Sequence, residues 1–288
     1  YVWKRDPFAH NPLVHAFLEQ AEAPDLVVAN GDFSCDTAFV GVSDSAALAS
    51  ARECLGLLRQ RFGPALISTI GDHELGKLSL LGSRGGLRLA SWQATTAELG
   101  IERFWQREVG RYALMGMTST LIALPVYEPE ALPEELEAWR ALRRLHLSEI
   151  TAAFEQLAPD RRLILFCHDP TALPFLWREP AVQRRAAQIE FTVIGHLHSQ
   201  LILRQSRVLA GMPQIRFLGN AVRRMSGALR EARHWRPFKV RLCPALSGIE
   251  LLKDGGYARI DLDPELGEPA RFEIKRIGWH CTCQRSGL

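Results

Sequence analysis

Along the chain, short apolar runs alternate with amphipathic stretches, and four of the apolar runs end alike. "PDLVVANGD", "PALISTIGDHE", "RRLILFCHDP" and "EFTVIGHLH" are rich in aliphatic residues and close on turn-forming or polar ones, the signature of buried strands. Elsewhere the period becomes helical. "NPLVHAFLEQAEA" has Asn11 as N-cap and Pro12 at the first helical position, and Leu13, Val14, Phe17, Leu18 and Ala21 share one face. Asp44 is placed to cap a second helix running to about Phe62, and "PEELEAWRALRRLHLSEITAAFEQLAP" reads as a long helix. "GRYALMGMTSTLIALPV" reads as one or two strands. "QLILRQSRVLAG", "PQIRFLGN", "GYARIDLD" and "ARFEIKRIG" read as shorter strand-like pieces. This mixture predicts an α/β layered fold in a single domain, 1–288. Residues 75–109 read as an insertion or lid over one edge of the sheet.

Composition narrows the class. Apolar residues make up 47% and charged ones 23%, as in ordinary globular proteins. The net charge of +3 is too mild to mark a nucleic-acid binder. No run is long and apolar enough to span a bilayer, and no secretory leader is legible. Six scattered cysteines (35, 54, 167, 243, 281, 283) fit reduced thiols in a cytoplasmic protein better than a disulfide framework. His280, Cys281 and Cys283 together form either a small metal site or part of a disordered tail. The basic stretch 221–241, with Arg233, His234, Trp235, Arg236 and Lys239, reads either as a solvated helix or as a surface for phosphates or peripheral contact with anionic lipid.

The four strand ends carry the chemistry. Asp32, Asp72, His73, His168, His196 and His198 all come at or just past a strand's C-terminal end, the edge where open α/β sheets gather ligands. Each has a plain alternative: Asp32 as a turn residue after Gly31, Asp72 and Glu74 as a helix cap, His168 as a satisfied core histidine. The recurrence of all four favours a common metal site, since carboxylate and neutral imidazole suit divalent transition metals.

In order and strand context, "GDFSCD", "GDHE", "CHDP" and "GHLH" resemble the motifs of the calcineurin-like metallophosphoesterases, over residues 24–262. The resemblance implies a two-sheet β-sandwich flanked by helices. It also implies two divalent metals, Mn first and Fe or Zn otherwise, and a phosphate-ester substrate. Asp32 would bridge the metals, Asp72, His168 and His196 would complete one shell, and His198 would serve the other. His73 would stand beside the scissile phosphate, Asp36 would be a turn residue or lie behind the ligands, and Glu74 would fix its turn. Two departures stand out. Asp72 replaces the usual Asn, which adds negative charge. The first motif, D-x-H, is missing: Asp6 and His10 in "RDPFAH" have the wrong spacing, so the strand carrying it is expected upstream of Tyr1. The stretch "LCPALSGIELLKDGGYARIDLD" resembles bacterial members akin to the UDP-2,3-diacylglucosamine pyrophosphatases, which points to a nucleotide-linked lipid. The alternatives are a soluble phosphodiesterase of broad specificity or a metal-poor interaction module of the same fold. A nuclease would need a longer basic groove.

Overall fold

The runs that are apolar at nearly every position, around Leu163 and Val193, lie where both faces of a sheet are covered. The computed structural model describes residues 12–34, 39–76, 85–197, 200–213, 226–227, 229–246 and 255–277. Among these, the strands are β1 (Val27–Ala29), β2 (Leu66–Ser68), β3 (Phe104–Val109), β4 (Tyr112–Met117), β5 (Arg162–Cys167), β6 (Ile189–Ile194), β7 (Val240–Leu242), β8 (Gly256–Asp261) and β9 (Arg271–Arg276). The main sheet runs β3-β4-β5-β6-β7; β1 pairs with β2, and β8 with β9. From β4 to β7 the pairs are parallel, with helical crossovers such as Leu136–Gln156 between β4 and β5. β3 joins β4 through a two-residue turn at Gly110, whose φ of 54° suits a hairpin.

Alternation along the strands builds two cores. Met115, Met117, Leu163, Leu165 and Cys167 face the helical layer. Leu114, Ile164, Phe166, Phe191 and Val193 face the other way, onto Val28 of β1, Ile67 of β2, and Ile260 and Phe272 of β8 and β9. Phe191 meets Phe272 edge-on, with ring centroids 5.7 Å apart. The outer side of this second layer is closed by helices Pro12–Gln20 and Ser45–Phe62, with Phe17 edge-on to Tyr257 at 5.0 Å. The result is the expected α/β sandwich flanked by helices, with its second layer built from two separate strand pairs.

Several elements differ from expectation. The apolar run after Tyr112 is a strand only to Met117; Ser119–Ile122 and Leu124–Tyr127 are helical turns. A run buried on every side has no period to separate strand from helix. Gln200–Val208, expected as a strand, is a helix. It lies along β7, where Gln200 and Arg207 donate to the carbonyls of Leu242 (3.2 Å) and Val240 (2.8 Å) and so occupy that edge. Within the stretch expected as an insertion, Phe104–Val109 is itself the opposite edge strand. Residues 214–220 of "PQIRFLGN" and the stretch around Asp6 and His10 lie outside the described residues.

Candidate metal centre

Parallel pairing brings strand ends together. β1 and β2 run in register from Val27↔Leu66 to Ala29↔Ser68, so the turns bearing Asp32 and Asp72 emerge side by side. β5 and β6, paired in the main sheet, deliver His168 and His196, and the backbone N–H groups of Gly195 and His196 both donate to His168 O (3.0 and 3.1 Å).

The two turns touch because they are built on glycine. Gly31 has φ 88°, and a Cβ there would meet Gly71 N at 2.6 Å. Asp32 follows at φ 61°, a left-handed conformation uncommon for a residue with a side chain. Glu74 holds it there. Its Oε2 accepts from Asp32 N (2.9 Å) and Gly71 N (2.8 Å), and its Oε1 from Phe33 N (2.7 Å). Glu74 thus fixes more than its own turn: it ties the β1 turn to the β2 turn. Burial and the Asp32 charge push the Glu74 carboxyl up to about 7, against the pull of these N–H donors.

Asp32, Asp72, His168 and His196 each present one ligand atom, and these atoms all lie within 4.8 Å of one another. His168 Nε2 is 2.9 Å from Asp32 Oδ2 and 3.2 Å from Asp72 Oδ1, and His196 Nδ1 is 2.9 Å from Asp72 Oδ1. Asp32 Oδ2 and His168 Nε2 are buried, and neither completes a directed hydrogen bond. Buried polar atoms without a partner are costly, and a cation between them removes the cost. The other nitrogen of His168 is occupied: Nδ1 is 2.6 Å from Asn30 O, an arrangement that makes Nδ1 the donor and leaves Nε2 as the lone-pair atom. With neutral imidazoles the set carries two negative charges, matched to one divalent cation. Two oxygens and two nitrogens suit Mn, Fe or Zn.

Without a cation the groups satisfy one another by charge. Burial alone would raise Asp32, but His168 and His73 outweigh it and hold its carboxyl well below the usual range. Burial likewise opposes the depression of Asp72, which His196 and His168 impose. Burial would lower both imidazoles, but Asp32 lifts His168 and Asp72 lifts His196. The His196 side chain is 26% exposed and that of Asp32 11%, against 2% for Asp72 and His168, so solvent reaches the cluster mainly past His196.

His73 is buried beside this set rather than in it. Its Nε2 lies 3.7 Å from Asp32 Oδ2, and its backbone N–H donates to Asp32 Oδ1 at 3.0 Å. His198, Asp36, His280, Cys281 and Cys283 lie outside the described residues. Two supports carry no motif of their own. Asn30 also binds Thr69 Oγ1 (3.1 Å) and Val193 O (3.3 Å), linking β1, β2 and β6. Asp169 accepts from Tyr127 Oη and from Thr171 N (2.8 Å), which fixes the chain just past His168. The one available signal was local: Asn30 stands two residues before Asp32, and Asp169 directly after His168. In the basic segment, Trp235 and Phe238 are buried, and Lys239 donates to Ile189 O at 2.7 Å.

No family model matches the chain, and no curated protein does. Among solved structures, a phosphopantetheinyl hydrolase from Mycobacterium tuberculosis is similar at 17% identity and TM-score 0.37, over 64% of this chain and 77% of that one. A putative 5'-nucleotidase from Staphylococcus aureus, solved with alpha-ketoglutarate, is similar at 12% identity and TM-score 0.38, over 92% of this chain and 47% of that one. At this distance neither activity transfers to this chain.

Proposed function

We propose that the chain is a metal-dependent phosphoester hydrolase, a phosphodiesterase or pyrophosphatase, with Mn as the first-choice metal. The observation that carries this reading is the convergence of Asp32, Asp72, His168 and His196 from four strand ends onto one point. Those four residues would hold one ion; the motif resemblance implies a second, with Asp32 and His198 among its ligands. When bound, divalent metal supplies Lewis acidity toward a phosphoryl oxygen and acidifies water at neutral pH.

The chain's own residues supply the rest. Asn30 keeps His168 in the tautomer that offers Nε2. Glu74 holds the Asp32 turn against backbone strain. His73, anchored through its N–H to Asp32, offers a buried imidazole beside the cluster, placed to neutralise charge on a phosphoryl oxygen or to protonate a leaving oxygen. Asp72, in place of a neutral amide, adds anionic charge that tightens cation binding and lowers the electrophilicity of the ion it holds. The substrate enters past His196, and a nucleotide-linked lipid is the specific candidate.

The test is hydrolysis of bis(p-nitrophenyl) phosphate and of a nucleoside diphosphate ester by the Mn-loaded chain, before and after chelation. Turnover abolished by chelator and by His196→Ala supports the reading. Metal bound without turnover on either ester contradicts it and favours an inactive binding module.

A further inference from the structure

Charge is segregated along this chain. Ten of its 35 lysines and arginines, but one of its 32 acidic residues, fall between positions 200 and 241, so the remainder is net negative. The fold sets part of this charge beside exposed aliphatic side chains. On the Gln200–Val208 helix, Leu203 and Ser206 are buried, whereas Val208 is 84% exposed and Leu209, just past the end, 46%. Of the four exposed large hydrophobic residues among the described ones, three belong to this helix and its end. Gly211 N donates to Leu229 O at 3.0 Å, so the helix end abuts Arg230. Arg230, Arg233 and Arg236 then recur at every third position, all exposed. The last two sit on the 3₁₀ helix Ala232–Phe238, whose three-residue period aligns them. Trp235 and Phe238 turn inward and fasten the segment to the core. The single acid, Glu231, sits 3.7 Å from both Arg230 and His234.

We propose that the Val208–Leu209 tip and the Arg230, Arg233 and Arg236 row form one docking face for an anionic lipid bilayer. The arginines meet the negative surface potential, and the aliphatic tip enters the headgroup boundary. Nucleic acid would answer the charge but gains nothing from Val208 and Leu209. Among the described residues no helix is long and apolar enough to cross a membrane. The inference needs neither metal nor turnover, so it stands or falls apart from the hydrolase reading.

The full chain is sedimented with vesicles of phosphatidylcholine alone and of phosphatidylcholine mixed with phosphatidylglycerol, at low and high salt. Binding is expected to the anionic vesicles only. Replacing Arg230, Arg233 and Arg236 by Gln should weaken it on the order of 100-fold, at about one basic residue's worth of surface attraction each. Val208→Asp with Leu209→Asp should remove the part that survives high salt. Both variants change exposed side chains, and an unchanged thermal midpoint confirms folding. Failure to bind anionic vesicles, or binding indifferent to both variants, overturns the proposal. So does RNA binding that the arginine variant abolishes and the Asp variant spares, or a dimer that the Asp variant dissociates without any vesicle binding.

Discussion

Glu74 offers a worked test of how the site is held. It is fully buried, and its carboxylate is the acceptor for Asp32 N, Phe33 N and Gly71 N. Glu74→Ala leaves three N–H groups without acceptors in the interior. A hydrogen bond to an ionised group contributes about 1.5–3 kcal/mol, so the loss of three should be roughly 4.5–9 kcal/mol. That is a large share of the roughly 5–15 kcal/mol that holds a typical domain together. Glu74→Gln is milder. Its remaining oxygen can take the Oε2 place and serve Asp32 and Gly71, while the amide opposes the Phe33 N–H, a loss of about 1.5–3 kcal/mol. Urea unfolding at pH 8 reads both, since the carboxyl pushed up to about 7 is then ionised. A cost below about 1 kcal/mol for the alanine variant, or equal costs for both, would refute the reasoning.

His73→Asn should lower kcat about 100- to 10,000-fold and leave metal affinity within a few-fold, because His73 stands beside the ligand set; calorimetric metal titration beside steady-state kinetics separates the two. In Gly71→Ala the new methyl would overlap Asp32 Oδ1 and come within 2.5 Å of Asp32 N, so metal affinity should fall at least about tenfold, read by competition with a fluorescent chelator. Arg103 Nε donates to Glu149 Oε2 at 2.7 Å, and this bond, then His146, lowers the Glu149 carboxyl from 4.5 to about 2. With the folded value depressed, this stabilisation is present above pH 4.5 and is lost as pH falls toward 2. Discounted for a side chain 30% exposed, it is about 1–2 kcal/mol, and Arg103→Gln should remove it from the acid-unfolding curve. Metal binding should release protons near neutral pH, because Asp32 and Asp72 raise His168 and His196 in the free site; titration in two buffers of different ionisation enthalpy counts them.

What was legible in the sequence was whatever a local pattern encodes. β5 and β6 declare themselves by unbroken apolar runs, and Ser45–Phe62 by its period and by Asp44, whose carboxylate accepts from Ala46 N and Ala47 N. The ligand candidates were visible because each closes a strand, and parallel register gathers strand ends. The supports that act across distance were not: Asn30 lies 138 positions from His168, and Glu74, legible as fixing its own turn, also reaches 41 and 42 positions back to the β1 turn. The Gln200–Val208 helix was misread because aliphatic and polar residues mixed over nine positions fit both periods, and its packing along β7 decided the matter. Phe104–Val109 escaped notice as an edge strand whose outward positions are polar, as edges commonly are.

The most direct measurement is the number and position of Mn ions bound by the purified chain, by calorimetric titration and anomalous scattering, beside His168→Gln. The account expects an ion among Asp32, Asp72, His168 and His196, with affinity reduced at least about 100-fold in the variant. No ion at that position, or equal binding by the variant, would contradict it.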